Sequence, residues 1–315
     1  MNDLEYLVTT YFTENNTFSD ETSSHWRKYG EKQVIKLVDA NRSKKWRSKK
    51  ALVWGNSHNG LELKGEGFGD FKKLNLINLI ACIPIFIYCA TRLWPKLRAN
   101  TFLKTMIYSL KSKQIFGYDV TRMALTIDFL EKNIGNLNLK KFCLIGDGYG
   151  RFGSILKAIY PDCSVIYINL GRTLVFDYYY TSKVFPKSNH QLVRTQSKFS
   201  DDFAYVEAER YREYKIEADV FINIASMQEM NMKTIYDYFT LVNSQALPTY
   251  FYCANRISKN LPDGSIINFN DYPWNGMKIL TDELCPWHQK FPTIKPPFVR
   301  RFDGPLQHRL VITQK

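Results

Sequence analysis

No C-x-x-C pair occurs in this 315-residue chain. Its six cysteines (Cys82, Cys89, Cys143, Cys163, Cys253 and Cys285) stand singly, which excludes a zinc ribbon and a thioredoxin-like redox site. The opening Met1-Asn2-Asp3-Leu4-Glu5 lacks the basic-then-apolar pattern of a secretory signal, so a reducing cytoplasm is the expected compartment. Internal repeats and low-complexity tracts are absent. An uncharged run does exist, from Leu74 to Thr91, but eighteen residues is the bottom of the range for a membrane span. Asn75, Asn78 and Pro84 inside it disfavour insertion or weaken a helix. The run therefore predicts a packed helix pair or, failing that, a segment that dips into a membrane interface.

What is present is an ordinary folded composition, 45% apolar and 23% charged, with a basic excess. The net charge of +13 is uneven: residues 1–117 hold 19 Lys/Arg against 10 Asp/Glu, and residues 118–315 hold 24 against 20. It is densest over residues 42–50, Arg-Ser-Lys-Lys-Trp-Arg-Ser-Lys-Lys, with six positive charges in nine positions. Such a run reads as a solvated surface, a phosphate-backbone contact or an anionic membrane contact.

Residues 1–117 read as a mainly helical, basic cap region. From Tyr118 the pattern becomes strands alternating with helices. Val120, Met123, Ala124, Ile127 and Leu130 recur at helical spacing, and Lys141 to Ile145 is a short apolar run stopped by glycines, as a buried parallel strand should be. Phe152, Ile155, Leu156 and Ile159 then mark a helix. Ser164 to Leu170, Val220 to Ala225 and Thr249 to Ala254 read as further strands. Thr173 to Val184 reads as a helix, and so does a segment carrying Met232, Ile235, Tyr236, Phe239 and Val242 on one face. Pro297 to Phe302 and His308 to Thr313, flanking Asp303-Gly304-Pro305, predict an antiparallel hairpin. Together these describe an α/β chain: a doubly wound Rossmann-like sheet over residues 118–315, closed by a C-terminal antiparallel hairpin.

The sharpest feature is Gly146-Asp147-Gly148-Tyr149-Gly150-Arg151-Phe152-Gly153. Glycines let a strand turn tightly into a helix and let a ligand approach bare backbone, with helix amides aimed outward. Two registers fit. Gly146-x-Gly148-x-Gly150 starts directly at the strand end, as in Rossmann-like methyltransferases that use S-adenosylmethionine. Gly148-x-Gly150-x-x-Gly153 fits the dinucleotide fingerprint but begins two residues late, and a ligand-free tight turn is a third reading. At the end of the second strand stands Asn169, where an acid would usually hold ribose hydroxyls.

Four blocks resemble the bacterial sugar O-methyltransferase family: Leu144 to Arg151, Ala218 to Met230, Cys285 to Phe291 and Asp303 to Arg309. The likeness covers roughly Tyr118 to the C-terminus. It implies S-adenosylmethionine as cofactor, held by Gly146, Asp147, Gly148 and Gly150 with Asn169 near its ribose. It also implies an acceptor in the form of a nucleotide sugar or surface glycan. Methylating a hydroxyl needs the oxygen in line with the methyl and a base for its proton. His288, beside a tryptophan suited to stack on a sugar, His308 and Glu229 are the candidates, each with an ordinary structural alternative. Asp271, Asp282, Glu229 and the histidines show no metal-ligand spacing, so no metal is expected. The Ile224-Ala225-Ser226-Met227-Gln228-Glu229 exit lacks the Asn/Asp-Pro-Pro-aromatic block of base N-methyltransferases. Three rivals stay open: an RNA ribose 2′-O-methyltransferase working through residues 42–50, an NAD enzyme, and an interaction protein on the same fold. The basic cap and residues 74–91 would hold the chain at the inner face of a membrane.

Overall fold

The computed structural model describes residues 3–11, 24, 75–195, 198–302 and 304–314; the basic run at 42–50 lies outside them. Helix α1 (Asp3–Tyr11) is followed by α2 (Leu76–Ala81), α3 (Ile83–Arg92), α4 (Ala99–Lys111) and α5 (Tyr118–Ile134). Then β1 (Lys141–Ile145), α6 (Arg151–Ile159), β2 (Ser164–Asn169) and α7 (Gly171–Val184) alternate, leading to β3 (His190–Leu192), β4 (Phe203–Glu207) and β5 (Val220–Ile224). Helix α8 (Met232–Asn243) joins β5 to β6 (Tyr250–Arg256). The chain ends in β7 (Ser258–Asn260), β8 (Ile266–Asn268), β9 (Met277–Leu284), β10 (Lys290–Pro292), β11 (Val299–Arg301) and β12 (Leu306–Thr313).

Eight of these strands form one sheet in the order β3-β4-β2-β1-β5-β6-β12-β9. Strands β3 to β6 pair parallel around β1, while β12 runs antiparallel to both β6 and β9. This is the doubly wound Rossmann-like architecture that the alternating pattern predicts, with its chain order reversing between β1 and β5. The strands are buried on both sides because their side chains alternate between two layers. Phe142 and Leu144 join a core with α5, α6 and α7. Cys143 and Ile145 point the other way, into a core with Ile235, Tyr238, Phe239 and Val242 of α8.

The antiparallel C-terminal pair is present, but its strands are β9 and β12. Residues 299–301 instead pair with β10 in a separate two-stranded ribbon, and Asp303 lies outside the described residues. Strand β12 is almost wholly buried and needs a partner on each side; the exposed Val299-Arg300-Arg301 has no face to offer it. Tyr236 is also displaced from expectation: it is exposed, whereas Tyr238 is buried. The buried face of α8 runs 235, 238, 239, 242, and Tyr236 sits one helical step off it.

The uncharged run forms α2 and α3, a pair only partly packed. Pro84 lies in the first turn of α3, where a missing N–H costs nothing. Ile85 and Cys89 pack with Leu93, Leu97, Ile115, Tyr118, Ala124 and Leu125, so α3 shares a core with α5. Leu76, Ile77, Ile80, Ile83 and Ile87 remain exposed. No helix among the described residues is long and apolar enough to cross a membrane.

Candidate functional site

The reversal of chain order between β1 and β5 opens a crevice at the carboxyl ends of these strands, where ligands bind in open α/β sheets. A cavity of about 810 Å³, counting the open solvent at its mouth, occupies it. Gly146, Asp147 and Gly148 line one wall; Ala225, Ser226 and Glu229 line another; Arg122 and Thr126 of α5 and His288 complete it.

The glycine turn is shaped by what surrounds it. Gly148 has φ +87°, and a Cβ there would meet nothing within 4 Å, so its backbone is left open for close approach. Gly153 has a different reason: a Cβ would lie 2.2 Å from Tyr167 Oη and 2.8 Å from Leu144 Cδ1. Its place in the dinucleotide-like register is thus explained by helix–sheet packing. Asp147 lines the cavity but uses its carboxylate on α6, accepting the N–H groups of Phe152 (3.1 Å) and Gly153 (3.2 Å). These are two of the helix's orphan donors.

Across the crevice, the two asparagines Asn223 and Asn255, which sequence reasoning did not single out as site residues, position the second wall. Asn223 Nδ2 donates to the Ile145 carbonyl (2.8 Å), and its Oδ1 accepts from Met227 N (3.1 Å) and Asn255 Nδ2 (2.8 Å). Asn255 Oδ1 in turn accepts from Gln228 N (3.1 Å). An amide in the middle of the apolar run Val220 to Ile224 was the available signal. Glu229 ends the short 3₁₀ turn Met227–Glu229 and is 5% exposed at the cavity. Ala225, between them, takes φ +57°, a left-handed strain that a non-glycine residue holds only when neighbours enforce it.

Arg122 was also missed. Its Nε lies 3.1 Å from Asp119 Oδ1, one turn back on α5. Together with Glu229 it gives the cavity walls charges of both signs.

His288 is carried by a loop tied to α5 and β12. Tyr118 Oη donates to the Trp287 carbonyl (2.8 Å), Trp287 Nε1 donates to Thr126 Oγ1 (2.9 Å), and Gln289 Nε2 donates to the Leu306 carbonyl (2.7 Å). The imidazole is buried; burial, then the positive charge of Arg122, hold its pKa well below the ordinary histidine value, so it is neutral. Its Nδ1 lies 3.1 Å from Cys285 Sγ, while Nε2 has no hydrogen-bond partner among the described residues.

Five residues with expected roles are placed elsewhere. His308 does not line this cavity; it is fully buried in β12 between Phe129, Trp287 and Tyr252. Trp287 is half-buried and packs against His308 and Phe129 rather than lining this cavity. Asn169 does not line the cavity either. Its Nδ2 donates to Asp177 Oδ2 (2.8 Å) and its Oδ1 accepts from Leu170 N (3.0 Å). Asp282 pairs with Arg309 (2.6 Å) and Asp271 accepts from Asn268 (2.9 Å). No group of three His, Cys, Asp or Glu side chains among the described residues is placed to hold a metal.

No family model matches the chain, and no curated protein matches it. Among solved structures it is similar to an inferred RNA methyltransferase from Pyrococcus horikoshii, with 9% identity, a TM-score of 0.44, and 69% of this chain and 100% of that one covered. It is also similar to the cyclopropane synthase MmaA2 of Mycobacterium tuberculosis, at 9% identity and TM-score 0.40 over 61% and 85% of the two chains. A Thermoplasma acidophilum protein gives 8%, 0.42, 67% and 97%. None of these bears on what the cavity holds, which has to come from its own residues.

Two stability measurements test this geometry. Gly153→Ala should lower the urea midpoint by an amount worth about 1–3 kcal/mol, the usual cost of overpacking against a rigid ring; an unchanged midpoint would refute the packing role. Asp177 is fully buried, and burial, reinforced by Asp147, raises its pKa well above the carboxylate range. A raised folded-state pKa contributes stability that is complete below the unfolded pKa and is lost as pH rises through the folded one. Asp177→Asn removes that loss, so thermal melts should show the variant gaining on the natural chain from pH 5 to pH 9. A gap that narrows with pH would contradict a neutral Asp177.

Proposed function

We propose that this chain is an S-adenosylmethionine-dependent O-methyltransferase acting on a sugar hydroxyl of a nucleotide sugar or surface glycan. The observation that carries the reading is the neutral, buried His288, with Nε2 unpartnered, on the wall of the cavity that the glycine turn opens. The fit to the cofactor rests on the bare backbone at Gly148 and on a basic and an acidic side chain, Arg122 and Glu229, on the cavity walls, which suit a zwitterionic amino-acid group. When bound, S-adenosylmethionine supplies an electrophilic methyl on a sulfonium centre. Gly146, Asp147 and Gly148 border the cofactor in this reading, with Gly150 completing the turn behind them.

A hydroxyl acceptor is favoured by the residues that would face it. An alcohol must lose its proton as the new bond to carbon forms, and a neutral imidazole at hydrogen-bond range is the side chain suited to take it. Glu229, with Thr126 and Ser226, offers hydrogen bonds to neighbouring hydroxyls. Burial of His288 keeps the imidazole unprotonated and ready at neutral pH.

The N-terminal helices support a place at a membrane surface, where glycans are assembled. Residues 71–118 contain eight Lys/Arg and no Asp/Glu, and the exposed Leu76, Ile77, Ile80, Ile83 and Ile87 lie within that stretch. An aliphatic helix face set in a purely cationic segment suits an anionic bilayer interface.

Calorimetric titration should show S-adenosylhomocysteine binding and NADH not binding, with Gly148→Arg abolishing the former while the fold is kept. Binding of NADH alone, or of neither, would overturn the methyltransferase reading. In vesicle flotation, the chain should associate with phosphatidylglycerol vesicles and not phosphatidylcholine ones, and Ile77→Glu with Ile80→Glu should release it. Equal flotation of the natural and double-variant chains would remove the apolar face from the account.

A further inference from the structure

The ribbon of β10 and β11 leaves the cavity wall directly after His288. Phe302 N donates to the Gln289 carbonyl (3.2 Å), which closes the ribbon at its base. There the Phe291 and Phe302 ring centroids are 5.1 Å apart, and the Phe302 ring is 6.3 Å from the His288 imidazole. Both phenylalanines pack on the core that α3 shares with α5, and α3 touches β10. The far end has no such cover: Ile294, Phe298 and Val299 are 43%, 48% and 41% exposed. Residues 285–302 contain four Lys/Arg and no Asp/Glu.

We infer that this ribbon is a membrane-contact arm, which seats the His288 loop against the headgroups of an anionic bilayer. The inference rests on the membrane reading of α2 and α3 and extends it to an element far along the chain. Two segments distant in sequence and packed together share one composition. Each leaves large apolar side chains in water beside cations, with no acid among them. An anionic bilayer answers both features: the apolar tips enter the acyl boundary while Lys and Arg meet the phosphates. A soluble anion would meet the cations alone and leave Ile294, Phe298 and Val299 in water.

The backbone of the tip suits a place poor in water. Thr293 N donates to the Phe298 carbonyl (2.8 Å), and Thr293 Oγ1 donates toward the carbonyls of Lys295 (2.6 Å) and Pro297 (3.0 Å). A hydroxyl has one proton, which those two carbonyls share. Pro292, Pro296 and Pro297 carry no N–H to leave unmet. In open water, solvent would satisfy such groups; at a lipid interface each unmet one is costly. Lys290 and Arg301 are also direct register partners across the ribbon. Like charges in that position repel, and lipid phosphates between them relieve the repulsion.

All six cysteines are buried, so Phe298→Cys offers a singly accessible thiol for a nitrobenzoxadiazole label on the full chain. Tyr236→Cys, at an exposed position of α8 in the other layer, is the control. On phosphatidylglycerol vesicles the label at 298 should brighten and shift to the blue while the label at 236 does not. Phosphatidylcholine vesicles should leave both unchanged. Arg300→Gln with Arg301→Gln should weaken binding to phosphatidylglycerol vesicles about tenfold, through the loss of two cations at the surface. A label at 298 that stays unchanged on phosphatidylglycerol vesicles to which the chain is bound would overturn the arm while sparing α2 and α3. So would a brightening that needs only a higher protein concentration, the sign of a second copy, or one that single-stranded RNA produces equally. If the natural chain does not float with phosphatidylglycerol vesicles, the membrane reading falls and the arm falls with it.

Discussion

One buried side chain holds the two walls of the cavity at their spacing. Asn223 has no exposed surface, yet it donates to the last carbonyl of β1 and accepts both from the turn after β5 and from Asn255 on β6. An amide supplies both a donor and an acceptor from one compact planar group. An aspartate would present two acceptors to the Ile145 carbonyl, and a leucine would strand three polar groups, each at a desolvation cost of about 1–3 kcal/mol. Asn255 extends the clamp through Gln228, whose Oε1 accepts from Arg256 N at 2.8 Å. The glycine turn and Glu229 therefore keep their separation through a small network of amides, and the strained Ala225 between them is held by the same restraint.

The third wall depends on contacts far apart in sequence. Tyr118 and Thr126 on α5 bind Trp287 from 169 and 161 residues away. The apolar spacing of α5 was readable because it repeats every turn. That its polar residues fasten the His288 loop was not, because nothing local in Cys285 to Phe291 names a partner on a helix before the first strand.

The same distinction separates what the residues disclosed about the fold from what they did not. Strands β1, β2, β5 and β6 were legible because each is an apolar run bounded by turn residues. Strand β4, Phe-Ala-Tyr-Val-Glu, escaped: it is buried throughout, too short to show a period and ends on a charged residue. Strand β9 escaped for the opposite reason, being exposed along nearly its whole length, so that its identity comes from pairing with β12. At the cavity, Gly146, Gly148, Glu229 and His288 are brought together. His308, equally prominent in sequence, is buried away from that cavity among Phe129, Trp287 and Tyr252.

Asn169 shows how a departure from pattern can follow from its neighbours. An acid is usual at the end of this strand, and its absence would suggest that a ligand role had been lost. Here Asp177 is fully buried in the second turn of α7, directly against that position, and burial keeps it neutral. A carboxylate at 169 would face a second buried carboxyl, and like groups at hydrogen-bond range disfavour each other's ionisation. An amide instead donates to Asp177 and accepts from Leu170 N. The following turn is closed over by α1: Tyr11 rests on Gly171, where a Cβ would fall 1.9 Å from its ring, and hydrogen-bonds to Glu207. Leu7 beside it is buried, and Asp3 pairs with Arg194 at 2.6 Å. The neutral residue at the strand end is thus required by the interior of this protein, and it argues nothing against a ligand in the crevice between β1 and β5.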